Sequence, residues 1–148
     1  MTRPCPARLA GDETGTTTLE FALMALAVMM LIIGIGEFGM VVWSWQAIEA
    51  TANDAARCAG LNAPSCKNAG TTPANTQTYA VSAAQSRGFT SLSTSNVTVT
   101  TGSSAQTACG GTTATVVQVT VTYQSNWTFL VPLPSTLSSS ACYPLATG

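Results

Sequence analysis

Histidine is absent from this 148-residue chain and charge of either sign is scarce, with five Lys plus Arg, six Asp plus Glu and a formal net charge of −1. Without imidazole, a serine or cysteine nucleophile loses its commonest base. The acids beyond the apolar stretch considered below, Glu49 and Asp54, fall on one predicted helix rather than across a cleft, so an enzyme is not expected and no cofactor is expected. The lack of a basic cluster argues equally against nucleic acid as a partner. No CxxC pair occurs, and together with the missing histidines this disfavours a zinc site.

What the chain does have is one long apolar stretch, Gly15 to Trp45, whose uncharged run from Phe21 to Gly36 is bracketed by Glu20 and Glu37. Taken as a helix, Phe21 to Trp43 covers roughly 34 Å at about 1.5 Å per residue, which exceeds a hydrocarbon layer of about 30 Å. A transmembrane segment over about 21–43 is therefore expected. A cleaved secretory signal is the competing reading, with Ala50-Thr51-Ala52 as its A-x-A-like site, but such signals have an apolar region of about 7–15 residues. Arg3 and Arg8 precede the span and hold that end in the cytoplasm, although Asp12 and Glu13 lie closer; the remainder is placed outside.

Beyond the span the pattern becomes amphipathic. At about 100° per residue, Ile48, Ala52, Ala55 and Ala59 share one side and Gln46, Glu49, Asn53 and Arg57 the other. One helix from about Thr16 to Ala59 follows, with Gly60 as its left-handed stop. Leu61 to Thr72 reads as a loop. A second helix is expected from about Pro73 to Arg87, with Thr72 capping, Pro73 in the first position and Gly88 ending it.

From Asn96 the period changes to two. Val97 and Val99, then Val117, Val119, Val121 and Tyr123, alternate with threonine and glutamine and predict half-buried strands with a threonine-rich outer face. Thr101 to Thr113 reads as a long hairpin connection, Trp127 to Val131 as a third short strand ended by Pro132 and Pro134, and the remainder as a Ser-rich tail. The fold class is α+β: a long N-terminal transmembrane and amphipathic helix, a second short helix and a small antiparallel sheet of about three strands.

Of the five cysteines, Cys5 precedes the span and Cys58, Cys66, Cys109 and Cys142 follow it, an even set on one side. Disulfides are expected there. Four cysteines allow three pairings, of which Cys58 with Cys66 and Cys109 with Cys142 is the expected set.

Gly34, Gly36 and Gly39 formally satisfy GxGxxG, yet they lie inside an apolar helix around Glu37 rather than between a strand and a helix, so the nucleotide reading is rejected. Helix packing, or local loosening of the helix, accounts for them better. Glu20 and Glu37 sit at the two edges of the span, where a carboxylate needs a partner or a headgroup position. Asn96-Val97-Thr98 and Asn126-Trp127-Thr128 match the glycosylation triplet as chance matches in a threonine-rich chain.

Gly15-Thr16-Thr17-Thr18-Leu19-Glu20-Phe21 resembles a class III prepilin processing site of the tight-adherence (Flp-type, type IVb) pilus system. Glycine precedes the cut, glutamate stands at the fifth mature position, and an aromatic follows. The continuation, with GEFG, QAIEATANDAARCA, VQVTVTY and FLVPLP, is similar to the TadE-like family of minor pseudopilins, well from Gly15 to about Leu61 and loosely from Val116 to Pro134. The resemblance implies a pilin-like organisation: a leader over 1–15, a long helix over 16–60 and a small extracytoplasmic head over 61–148. It further implies cleavage between Gly15 and Thr16 by a prepilin peptidase at the cytoplasmic face of a bacterial inner membrane, with Cys5 leaving in the leader. Glu20, next to Phe21, would pair with the new amino terminus of a neighbouring subunit. The implied partners are that peptidase, other pilins and pseudopilins, the inner-membrane assembly platform and the membrane itself. Major Flp pilins are typically very short, so the size of the head favours a minor pseudopilin. The rival is a membrane-anchored binding or adhesive module outside any pilus, and a secreted enzyme released after Ala52 is the remote third.

Overall fold

A computed structural model describes residues 14–66, 74–111, 114–125 and 135–145. The chain falls into two compact units, Met1–Phe38 and Gly39–Gly148. Within the described residues the elements are α1 (Thr14–Gly60), α2 (Ala74–Ser86), a 3-10 turn (Thr94–Asn96), β1 (Val97–Thr101), α3 (Ser103–Ala108), β2 (Val116–Gln124) and β3 (Thr136–Pro144). The architecture is α+β, as the change of period from about 3.6 to two requires.

In the first unit α1 exposes its apolar side chains. From Leu19 through Phe38 the large ones stand open, Phe21 at 74 %. In the second unit the same helix is two-sided. Ile48, Ala52, Ala55 and Ala56 are buried and Ala59 packs against the core, while Gln46, Glu49, Asn53 and Arg57 are exposed. The expected stripe is thus the buried one, and it widens through Ser44, Ala47 and Thr51. The hydroxyls on this face return to their own helix, Ser44 Oγ to the Met40 carbonyl and Thr51 Oγ1 to the Ala47 carbonyl, so their burial leaves no unmade bond there.

The sheet has the order β1-β2-β3 and is antiparallel throughout. Val97 pairs with Val121, Val99 with Val119, and Val119 in turn with Ala141. These positions carry the inner face and bury Val97, Val119 and Val121 almost completely. Each buried valine contributes on the order of 1.5–3 kcal/mol relative to exposure. The opposite face carries Thr98, Thr120 and Ser140 in one row and Thr122 with Ser138 in another, the expected hydroxyl face. No charged side chain occurs from Gly88 to Gly148, so the strands are joined by backbone bonds, valine packing and neutral cross-strand bonds, Thr100 Oγ1 donating to Gln118 Oε1 and the Thr122 and Ser138 hydroxyls meeting across β2 and β3.

Three expectations are corrected. The Ser-rich tail is not a tail: Thr136–Pro144 is β3, paired with β2 along all of its nine residues. Its alternation is masked because small Ser139 and Ala141 occupy inward positions where large apolar residues would have signalled a strand. The Thr101–Thr113 connection contains the short helix α3, which buries Ala105. The third correction concerns the end of α1. Gly60 has no positive φ; the left-handed residue is Asn62, at φ 53°. Asn62 N–H donates to the Ala59 carbonyl and Ala63 N–H to the Cys58 carbonyl, the paired bonds of a Schellman cap with Asn62 in the position usually held by glycine. Gly60 is needed for another reason. A Cβ there would collide with the Tyr143 ring and lie 2.8 Å from the Pro144 carbonyl oxygen.

At the end of α2 the expectation holds. Gly88 has φ 97°, its N–H donates to Gln85 and that of Phe89 to Ala84, a second Schellman cap. The expected strand Trp127–Val131, the cap at Thr72 with Pro73, and Cys5 lie outside the described residues.

Gly60→Ala is expected to lower the stability of the folded head by about 1–3 kcal/mol through overpacking, and Asn62→Val by about 1–2 kcal/mol through left-handed strain. Asn62→Gly is expected to leave it unchanged or higher. Denaturant unfolding of the three variants, followed by tryptophan fluorescence, checks all of them.

Candidate functional site

Two regions carry chemistry: the start of α1 and the disulfide-tied second unit. Helix α1 begins at Thr14, so the Gly15–Thr16 peptide lies in its first turn, where backbone N–H groups have no intrahelical acceptor. Glu20 stands one turn beyond Thr16, on the same side of the helix by the i, i+4 spacing. It is exposed, and so is its neighbour Phe21. A free ammonium at residue 16 would therefore have a carboxylate within one turn, on an apolar and otherwise uncharged surface where opposite charges interact strongly.

Glu37 is half-buried and makes its own contacts within the structure. It lies seventeen positions after Glu20 on the same helix, roughly 26 Å along the axis. The two carboxylates are not brought together and form no acid pair. A Cβ added at Gly34, Gly36 or Gly39 would meet nothing within 4 Å among the described residues, so packing within this chain demands none of the three. Close approach by another helix and a locally looser backbone are both consistent with three glycines that meet nothing among the described residues.

The four later cysteines resolve into two separate pairs rather than one cluster. Cys58 and Cys66 are joined with a Cα–Cα distance of 5.8 Å, and Cys109 and Cys142 with one of 6.0 Å. Each pair holds a junction. Cys58–Cys66 ties the end of α1 to the turn that follows its cap, while Cys109–Cys142 ties the end of α3 to β3. Among the described residues no group of three or more His, Cys, Asp or Glu could hold a metal ion.

Sequence reasoning missed Arg87. This last residue before Gly88 reaches from the end of α2 to α1, where Nη2 donates to Asp54 Oδ2, while Nη1 donates to the Ala83 carbonyl at 3.0 Å and to Thr51 Oγ1 at 3.4 Å. A cation just past the end of a helix, directly before its glycine stop, is the signal that was there to read. The side chains of Arg87 and Asp54 are 29 % and 48 % exposed, so the ion pair orients more than it stabilises, at about 0–1 kcal/mol. The aromatic contacts beside it were also invisible in one dimension. Trp43 stacks on Phe89 with centroids 5.9 Å apart, and Phe89 meets Tyr123 edge-on at 4.9 Å, linking α1, the turn after α2, and β2.

The family model described as TadE-like protein matches residues 15–57. Over that segment the chain is similar to the TadE-like family. The match begins at Gly15 and takes in Glu20, the apolar stretch and most of the buried stripe of α1, and it points to the Tad/Flp pilus system. Among curated proteins and solved structures no match is found. The helix long and apolar enough to cross a membrane, Thr17–Gly60, lies almost wholly in this segment, whereas the sheet and both disulfides lie beyond it.

Two outcomes follow from this geometry. Gly34→Ala and Gly36→Ala are expected not to lower the unfolding midpoint of the isolated chain, because the added methyl meets nothing among the described residues and alanine favours the helix. Cys66 and Cys58 are 1 % and 8 % exposed, whereas Cys142 is exposed and Cys109 half-buried. Mild reduction followed by alkylation and peptide mapping should therefore label Cys109 and Cys142 first, since access governs thiol exchange.

Proposed function

We propose that this chain is a minor pseudopilin: it is cut between Gly15 and Thr16 by a prepilin peptidase and then acts, without catalysis of its own, in the initiation or assembly of a Flp-type type IVb pilus for surface adhesion. The observation that carries the reading is the coincidence of the TadE-like match with the processing motif, since the match starts at Gly15, the residue before the cut. Three further features support it. The Gly15–Thr16 bond lies in the first turn of α1, Glu20 stands one turn on, and the apolar side chains that follow are exposed and available to lipid or to other subunits.

In this reading the apolar half of α1 first anchors the chain in the inner membrane, amino terminus inside and head outside, where an oxidising compartment suits two disulfides. Cleavage then frees an ammonium on Thr16. Glu20 pairs with the ammonium of a neighbouring subunit, which offsets the cost of a carboxylate in an apolar surrounding and sets the register between subunits. Phe21, Gly36 and Gly39 lie within about 60° of one another round the helix, on the side along which such helices approach, with Gly34 on the opposite side. The partners are the peptidase, the other pilins and pseudopilins, and the inner-membrane assembly platform.

Mass spectrometry of the chain recovered from membranes is expected to find Thr16 as the mature first residue. A chain starting at Met1 supports a permanent membrane-anchored module, and one starting at Asn53 a secreted protein; either overturns the proposal. Glu20→Ala is expected to cut incorporation into sheared pili by about tenfold or more, the scale of losing one desolvated charge pair. Unchanged processing together with unchanged assembly in that variant removes the pairing role.

A further inference from the structure

Among the described residues, exposed large apolar side chains run along α1 from Leu19 to Trp45, and the next one is Leu61. The surface of the helix changes character at Trp45. Two indoles mark the change, Trp43 at 54 % exposure and Trp45 at 57 %. They stand about 200° apart on the helix and only about 3 Å apart along it, so they flank it at one depth. Tryptophan in such a place belongs at the headgroup level of a bilayer, with its ring among glycerols and its N–H in contact with polar atoms.

A part of the head lies at this same level. Trp43 stacks on Phe89 in the turn that follows α2. Arg87, at the start of that turn, lines with Trp43, Gln46 and Ala47 an open depression of about 310 Å³. The guanidinium is fixed in place by Asp54, Thr51 and the Ala83 carbonyl, and a five-donor fork engaged on one side keeps donors for an oxyanion on the other. After α1 the basic residues are Lys67 and Arg87 alone, so the head brings little positive charge to any anion, and one of its two cations stands beside the indole pair.

We infer that the Trp43–Arg87 corner seats the head on the phospholipid headgroup layer, with Arg87 taking a lipid phosphate and Trp43 and Trp45 lying at the glycerol level. The occupant is the bilayer rather than a dissolved anion, because a small soluble phosphate would satisfy the guanidinium and leave both indoles in water. Asp54 and Glu49 are the acids near this corner. Asp54 holds Arg87 through one contact to Nη2 and, with its side chain 48 % exposed, is largely screened by water, while Glu49 is exposed on the polar side of α1. The contact orients the head at the membrane before assembly, and it deepens the membrane-anchored reading proposed above, on which it rests.

The test uses the full chain in lipid nanodiscs that carry a paramagnetic headgroup label, read by NMR relaxation. The amides of residues 88–92 and the indole N–H groups of Trp43 and Trp45 are expected to be strongly relaxed, and the amides of β2 are not. Replacing anionic by zwitterionic lipid, or Arg87 by glutamine (Arg87→Gln), is expected to weaken the relaxation at 88–92 by about fivefold, the scale of one basic group at an anionic surface. If Arg87→Gln shifts the β2 amides, the lipid exchange on the unaltered chain decides alone. Relaxed indoles with an unrelaxed 88–92 turn, or relaxation that is indifferent to lipid charge, overturn the docking while leaving the anchor intact. Unrelaxed indoles overturn the docking and the membrane anchor together.

Discussion

Close approach is the constraint on which the second unit depends. The buried side of α1 offers Ala47, Ala52, Ala55, Ala56 and finally Gly60, and the partner surface is built of valines with tyrosines at its edge. Small side chains on the helix share one core with Ala80, Ala84, Phe89 and the valines, where each atom pair is weak and the sum large. At Gly60 the space shrinks to nothing, so that Tyr143 and the Pro144 carbonyl occupy the volume a Cβ would need. The two disulfides and the Arg87 fork are consequences of that approach, since they fasten loops and helix ends that packing has already brought together.

The same helix serves two environments by changing only its side chains. In the first unit large apolar groups point outward on all sides, a surface that water does not tolerate and that lipid or other helices do. In the second unit small residues are buried in the core and polar residues are exposed. The TadE-like match covers both parts of the helix and stops at Arg57, just before the cap and the first cysteine pair.

The head meets solvent with hydroxyl and amide groups rather than charges. Its outer sheet face presents Thr98, Thr120, Thr122, Ser138 and Ser140, and from Gly88 onward nothing titrates as an acid or a basic side chain apart from tyrosine. Surface contacts made by such a face depend on shape and hydrogen bonding and are little screened by salt. The few charges are concentrated on α1 and at the end of α2, where Arg87 meets Asp54, and this concentration makes the Trp43–Arg87 corner stand out.

Local pattern alone determined a good deal. The apolar run, the Ile48–Ala59 stripe, the alternation of Val117 to Tyr123, the helix stop at Gly88 and the GTTTLEF motif each depend on neighbours within a few residues, where periodicity and stereochemistry act directly. Tertiary structure decided the rest. Ser139 and Ala141 are inward strand residues only because β2 lies beside them, and Gly60 is glycine because Tyr143 arrives from far along the chain. Arg87 finds Asp54 and Trp43 finds Phe89 only once α2 has docked. Those pairings join residues separated by tens of positions, and a one-dimensional pattern holds no distance between them until the core has closed.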